Sequence, residues 1–232
     1  FRDMDDNWVQ IAALSAASSQ SYPLLKEVLE HFQDDRVAYA SLARRLAAMI
    51  AAGGKSASIQ QLIQQAAGNT PRGWQAPVLE GLAQGLGRNK SPVTPFRNEL
   101  PALINLFFEH TSAAVRNASL QLLAVIGVED KSQVKKAITK AVIMAADKGL
   151  PDEKRVEAIK FLALDDPAPH ASLLKSLIVP QEQPSVQRQA LKTLSLIPDH
   201  TVTDYVLQEW SSLTPEVREA AINTFMTTPD RI

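Results

Sequence analysis

Ser112-Ala113-Ala114-Val115-Arg116-Asn117-Ala118-Ser119-Leu120-Gln121-Leu122-Leu123 reads as a helix with one apolar stripe, its large side chains falling three and four residues apart. Its central phrase, Val115-Arg116-x-x-Ser119-Leu120-x-Leu122-Leu123, returns as Lys154-Arg155-x-x-Ala158-Ile159-x-Phe161-Leu162. It returns again as Val186-x-x-x-Ala190-Leu191-x-x-Leu194 and as Val217-Arg218-x-x-Ala221-Ile222-x-x-Phe225. The starts fall 39, 32 and 31 residues apart, and a weaker copy, Trp8-Val9-x-x-Ala12-Ala13, stands near the beginning. A period of this size belongs to stacked helical hairpins, each unable to bury its apolar face without a neighbour.

Working outward from the phrase, the chain divides into about six hairpins and a terminal helix. The first hairpin spans about 6–32, entered through Asp5, Asp6 and Asn7 as N-cap residues, with Leu24, Leu25, Val28, Leu29 and Phe32 on one stripe. The second spans 36–67, breaks at Gly53-Gly54 and resumes with Ile59, Leu62, Ile63 and Ala66 on one face. A third begins at Thr70-Pro71, a pairing repeated at Thr94-Pro95 and Thr214-Pro215, where threonine caps and proline takes the first helical position. Its helices are joined by Gly87-Arg88-Asn89-Lys90-Ser91-Pro92, and Leu103, Ile104, Phe107 and Phe108 follow. The fourth hairpin ends in a helix with Val134, Ala137, Ile138, Ala141, Val142 and Ala145 in helical period. The fifth starts near Pro151 and packs Leu173, Leu174, Leu177 and Ile178, the sixth runs over 184–210, and 214–225 is a lone helix. No segment alternates as a strand would, so the expected class is all-α.

Composition agrees with one continuous repeat domain over 1–232. Hydrophobic residues make up 45% and charged residues 21%, enough core to exclude disorder as the main state. The net charge of −1 supplies no global field towards nucleic acid or anionic membrane. With no cysteine, thiolate metal sites, cysteine nucleophiles and covalent haem attachment are excluded within these residues. No window of eighteen apolar residues marks a membrane span. The chain opens at Phe1 and stops just after a repeat's first helix, which reads as a piece of a longer protein and predicts exposed apolar surface at that end.

Each candidate for chemistry meets a simpler structural role. Gly81-x-x-x-Gly85-x-Gly87-Arg88-Asn89-Lys90-Ser91 looks towards a phosphate loop, but Asn89 stands where such a loop needs glycine before lysine. Helix packing by Gly81 and Gly85, with Gly87 ending the helix, is expected instead. Asp3, Asp5 and Asn7 have the spacing of the first calcium-loop ligands, yet Trp8 and Leu14 occupy the turn-glycine and bidentate-glutamate positions. His31, His110, His170 and His200 lie near helix ends, none paired at the i, i+4 spacing of a helical zinc site. Lys131, Lys135, Lys136 and Lys140 read as the wet side of a helix, as do Gln60, Gln61, Gln64 and Gln65. For Trp8, Trp74 and Trp210, core or edge packing is expected. The alternative is a glycosylase-like role, Trp210 following Glu209, but adjacent helical residues point about 100° apart. No catalytic, cofactor or metal residue is assigned.

Pro215-Glu216-Val217-Arg218-Glu219-Ala220-Ala221 and the segment 112–123 resemble HEAT repeats of the armadillo-type α-solenoids. That resemblance implies a right-handed α-α superhelix acting as a non-catalytic scaffold with protein partners. A narrower resemblance rests on Asp6-Asn7-Trp8-Val9-Gln10-Ile11-Ala12-Ala13-Leu14-Ser15, on Leu79-Glu80-Gly81-Leu82-Ala83-Gln84-Gly85-Leu86-Gly87-Arg88, and on Pro215-Glu216-Val217-Arg218. Together they look like the HEAT region of large planctomycete and Bacteroidetes proteins, set between a β-propeller resembling sugar dehydrogenases and a c-type cytochrome domain. It implies an exported or periplasmic bacterial parent of redox type, with haem c in an adjacent domain and no cofactor in this chain. The class left beside it is a HEAT-like nucleic-acid binder or DNA glycosylase-type enzyme.

Overall fold

The computed structural model describes residues 5–16, 20–68, 70–88, 96–128, 131–198 and 200–226, without the side chains of 131–133, 200–202 and 224–226. Among the described residues the chain is all-α, with thirteen α-helices and no strand. They are α1 (Asn7–Ala16), α2 (Ser21–Glu30), α3 (Val37–Ala52), α4 (Ser56–Ala66), α5 (Gln75–Gly87), α6 (Leu100–Glu109) and α7 (Ala113–Ile126). Then follow α8 (Lys131–Ala146), α9 (Asp152–Leu162), α10 (Ala171–Ser176), α11 (Pro184–Leu194), α12 (His200–Gln208) and α13 (Pro215–Met226). By contacts the chain forms two compact units, 1–130 and 131–232.

In the first unit, α3 lies against α5 and α5 against α7, while α2 rests on α3, α4 on α5 and α6 on α7. Ile59, Leu62, Ile63 and Ala66, read from sequence as one face, are the buried residues of α4; of the α2 stripe Leu25 and Val28 are fully buried and Leu24, Leu29 and Phe32 half-buried. The helices pair one step out of phase with the expected hairpins, however. Helix α4 lies more closely on α5, after it, than on α3, before it. A repeat period sets the spacing of units but not where a unit begins. The choice falls to which neighbour each apolar stripe meets.

Gly81 and Gly85 explain the closest of these contacts. A Cβ at Gly81 would stand 2.2 Å from the Arg44 carbonyl oxygen and 2.8 Å from Ala47 Cβ. One at Gly85 would stand 2.2 Å from the Ala48 carbonyl oxygen and 2.6 Å from Ala51 Cβ. The two glycines, one turn apart, let the α5 backbone lie directly on α3, where any side chain would hold the helices apart. Gly87 does not end α5 by the left-handed route; it is the last helical residue, and Arg88 beyond it is still right-handed.

The entrance to α5 also differs from expectation. Thr70-Pro71 does not start the helix, which begins at Gln75. The buried Gln75 amide accepts from the Arg72 backbone N–H at 2.8 Å and donates to the Ala66 carbonyl at the end of α4 at 2.8 Å. This side chain ties the turn at both ends and delays the helix. Thr94-Pro95 falls outside the described residues, and Thr214-Pro215 does stand at the start of α13.

The second unit repeats the plan: α9 against α11, α11 against α13, α8 on α9 and α10 on α11. Val134, Ala137, Ile138, Ala141 and Ala145 are buried along α8, as their period predicts, with Val142 half-buried. The expected fourth hairpin, α7 with α8, is divided between the two units.

Candidate functional site

The four copies of the phrase are α7, α9, α11 and α13, and each starts its phrase at the third helical residue. The position four residues into the phrase carries Ser119, Ala158, Ala190 and Ala221, all 0% exposed. Small side chains there bring the next helix close. The position after the phrase's first residue is the fourth of each helix and holds Arg116, Arg155, Gln187 and Arg218. In every copy this polar side chain reaches back to backbone carbonyls that precede its helix.

Arg116 Nη1 donates to the carbonyls of His110 and Thr111, both at 2.9 Å, just past the end of α6. Arg155 Nε donates to the Ala145 carbonyl in the last turn of α8 at 3.1 Å. Gln187 Nε2 donates to the Glu182 carbonyl at 2.6 Å. Arg218 donates to the carbonyls of Trp210 and Ser211 at 2.9 and 3.0 Å, its guanidinium lying over the Trp210 ring. The last carbonyls of a helix and those of the turn after it have no intrahelical partner, so a cation there answers both an unmet acceptor and the helix dipole.

Arg155 does more. Its guanidinium forks onto the Glu182 carboxylate at 2.7 and 3.0 Å, with both side chains 3% exposed, and Lys148 approaches the same carboxylate at 3.4 Å. The hydrogen bond from Arg155 holds the Glu182 carboxyl below the usual carboxylate range, against the opposing pull of burial. Its Nε, Nη1 and Nη2 are thus all engaged, and the pair is a brace between α9 and the α10–α11 connection. It offers no free base or acid to a substrate.

The other singled-out residues fall as follows. Asp5 pairs with Arg36, and Asp6 caps α1 by accepting from the Trp8 N–H at 2.8 Å, while Asp3 lies outside the described residues. No cluster of three metal-ligating side chains occurs among the described residues. The glycine half of the phosphate-loop-like segment is covered by α3, and Asn89, Lys90 and Ser91 lie outside the described residues. His31 closes α2, its Nδ1 3.0 Å from the Glu27 carbonyl, and His110 closes α6, accepting from the Ser112 N–H at 3.1 Å. His170 ends a 3-10 turn before α10, and the His200 side chain lies outside the described residues. Lys135, Lys136 and Lys140 are exposed on α8, away from its buried stripe, and Lys131 is not described beyond its backbone. Gln61, Gln64 and Gln65 line the exposed side of α4, where Gln64 donates to the buried Glu99 at 3.4 Å.

Trp8 departs from the packing expected of it. It is 78% exposed, Val9 and Ile11 stand out beside it, and polar Gln10 is the residue α1 buries, reaching the Ala38 carbonyl at 3.4 Å. The weak first copy of the phrase therefore does not pack as the later ones do. Its stripe lacks a leucine or phenylalanine at the two positions that fill the core in α7 and α9.

Sequence reasoning missed one feature. On the second unit, α9, α11 and α13 together enclose an open groove of about 650 Å³. Lys160, Arg188 and Lys192 line it, with Val156, Leu196 and Asn223. Its signal was present among the variable letters of the phrase, where Lys160, Arg188, Lys192 and Asn223 stand.

No protein-family model matches the chain, and no curated protein matches it. The class defined by the fold is an all-α protein, and among the described residues no helix is long and apolar enough to cross a membrane.

Proposed function

We propose that this chain is a HEAT-like α-solenoid that serves as a non-catalytic scaffold for protein partners. The observation that carries the reading is the fourth-residue tie. Arg116, Arg155, Gln187 and Arg218 occupy equivalent places and spend their donors on the preceding carbonyls. The recurring polar residue is thus architectural, and the recurring small residues Ser119, Ala158, Ala190 and Ala221 are core. The repeated small residues are buried in every copy, whereas several letters that vary, among them Arg188, Lys192 and Asn223, lie outward, as a surface adapted to partners requires. The stacking of alternate helices within each unit supports a solenoid. On the narrower resemblance, the scaffold sits in an exported bacterial parent beside a haem c domain.

The competing class, a nucleic-acid binder or glycosylase-type enzyme, requires salt-sensitive duplex binding and release of a damaged base. Titration of the chain with labelled duplex DNA at low and physiological salt separates the two. We expect binding no tighter than about 0.1 mM at physiological salt, the weak end of non-specific association, and no base released from duplexes carrying uracil or an alkylated purine. Tight binding that collapses with salt, or base release, would overturn the scaffold reading.

A further inference from the structure

The groove on α9, α11 and α13 has the chemistry of a binding surface. Counted from the start of each phrase, Lys160, Lys192 and Asn223 are the same position, the seventh. Because α9 lies on α11 and α11 on α13, these equivalent residues form a row that crosses the three helices. Arg188, one turn before Lys192 on α11, adds a second cation beside the row. Among the described residues no carboxylate lines the groove, and Lys160, Arg188 and Lys192 form no ion pair. Glu216, at the start of α13, is the acid whose field meets Arg188. In a chain of net charge −1, three cations in one concavity that no carboxylate lines are a local concentration of positive charge.

We propose that this groove binds an acidic peptide segment of a partner protein, laid in extended form across α9, α11 and α13. The proposal rests on the scaffold reading and names its partner chemistry. Packed helices lie about 8–10 Å apart, and an extended chain of polyproline II form rises about 3.1 Å per residue with three residues per turn, so that every third side chain returns to the same side. Successive members of the row therefore meet every third peptide residue: carboxylates at two such positions face Lys160 and Lys192, and a neutral polar residue at the next faces Asn223. Val156 and the half-exposed Leu196 supply apolar contact to the side chains between. A peptide suits this mixture better than a nucleic acid strand, since no aromatic residue lines the groove to stack on a base.

Fluorescence anisotropy of the whole chain with a labelled nonapeptide carrying glutamates three residues apart, in an alanine and glycine background, tests this. Saturable binding is expected, weakened about tenfold or more by Arg188→Glu with Lys192→Glu, as close charge reversals at an interface do. The control Lys135→Glu with Lys136→Glu, on α8, should leave it unchanged. Both groove residues are exposed, so thermal unfolding should not shift; if it does, the single Lys192→Gln variant carries the same expectation with a smaller loss. Equal affinity for a peptide with its glutamates adjacent would overturn the crossing geometry. Tighter binding of an oligothymidylate of equal charge would make the groove a nucleic-acid site instead. Displacement by inorganic phosphate with no dependence on peptide spacing would reduce it to an anion site. The spacing and phosphate outcomes leave the scaffold reading standing, since the DNA titration and base-release assay test it separately, whereas a preference for the oligothymidylate would count against both.

Discussion

Arg155 and Glu182 concentrate the polar energetics of the second unit in one buried pair. Two charges removed from water gain little over an apolar pair of the same shape, but removing one partner leaves the other uncompensated. Glu182→Gln keeps the size and withdraws the charge, so we expect a loss of about 3 kcal/mol at neutral pH, near the lower end for a broken buried pair. The exposed Lys148, 3.4 Å from the same carboxylate, keeps the loss near that end. The same pair sets a pH dependence. The Glu182 carboxyl is held below its unfolded value, so its stabilisation is complete above the usual carboxylate range and is lost as the pH falls through the folded value. Urea unfolding midpoints across a pH series should therefore fall more steeply below about pH 4.5 for the parent chain than for Glu182→Gln. Parallel curves would show that another carboxylate governs the acid limb. None of this was legible from the phrase. Arg155 was visible as a recurring letter, but its partners are a carbonyl ten residues back and a carboxylate 27 residues ahead, brought together by packing.

Among the elements, α5 shows how far local pattern reaches. The one-turn spacing of Gly81 and Gly85 predicted a close helix contact, and α3 provides it, with backbone oxygens where two Cβ atoms would stand. Gly81→Ala should cost about 3 kcal/mol, at the upper range for overpacking a tight core, because its nearest neighbour is backbone and not a yielding side-chain end. Gly87→Ala on the same helix should do the reverse. Its added Cβ would meet only Val125 Cγ2 at 3.8 Å, an ordinary contact, and helical alanine is favoured over glycine by about 0.5–1 kcal/mol. Thermal melts of the two variants, read by far-ultraviolet circular dichroism, should move in opposite directions. A gain at both positions would mean that helix entropy and not the α3 contact dominates. The start of the same helix was misplaced because Thr-Pro is a local signal. The interaction that sets the start, Gln75 with Ala66 and Arg72, spans the whole turn. Trp8 has a similar cause: helical spacing says that its residues share a face, but not whether a neighbouring helix covers that face.

For the whole molecule, the repeat identified the helices and their stripes, but misplaced the phase of pairing and did not mark the division into 1–130 and 131–232. Both depend on which of two flanking helices a stripe meets, a competition decided by the sum of weak contacts and not by any one residue. If the chain is a solenoid, stability is close to a sum of terms within repeats and between nearest neighbours. A local lesion should then stay local. Hydrogen exchange followed by mass spectrometry is the direct measurement, because it resolves opening of single helices from global unfolding. Arg155→Ala removes the tie to Ala145 and leaves the buried Glu182 only the exposed Lys148, so amides of α8, α9 and α11 should exchange faster. Those of α3, α5 and α7, in the other compact unit, should keep their protection. Gly81→Ala should produce the mirror image, with α3 and α5 opening and α9, α11 and α13 unchanged. A uniform rise through all helices from either lesion would describe one cooperative core instead. The nearest-neighbour stack, and the scaffold reading built on it, would then lose its physical basis.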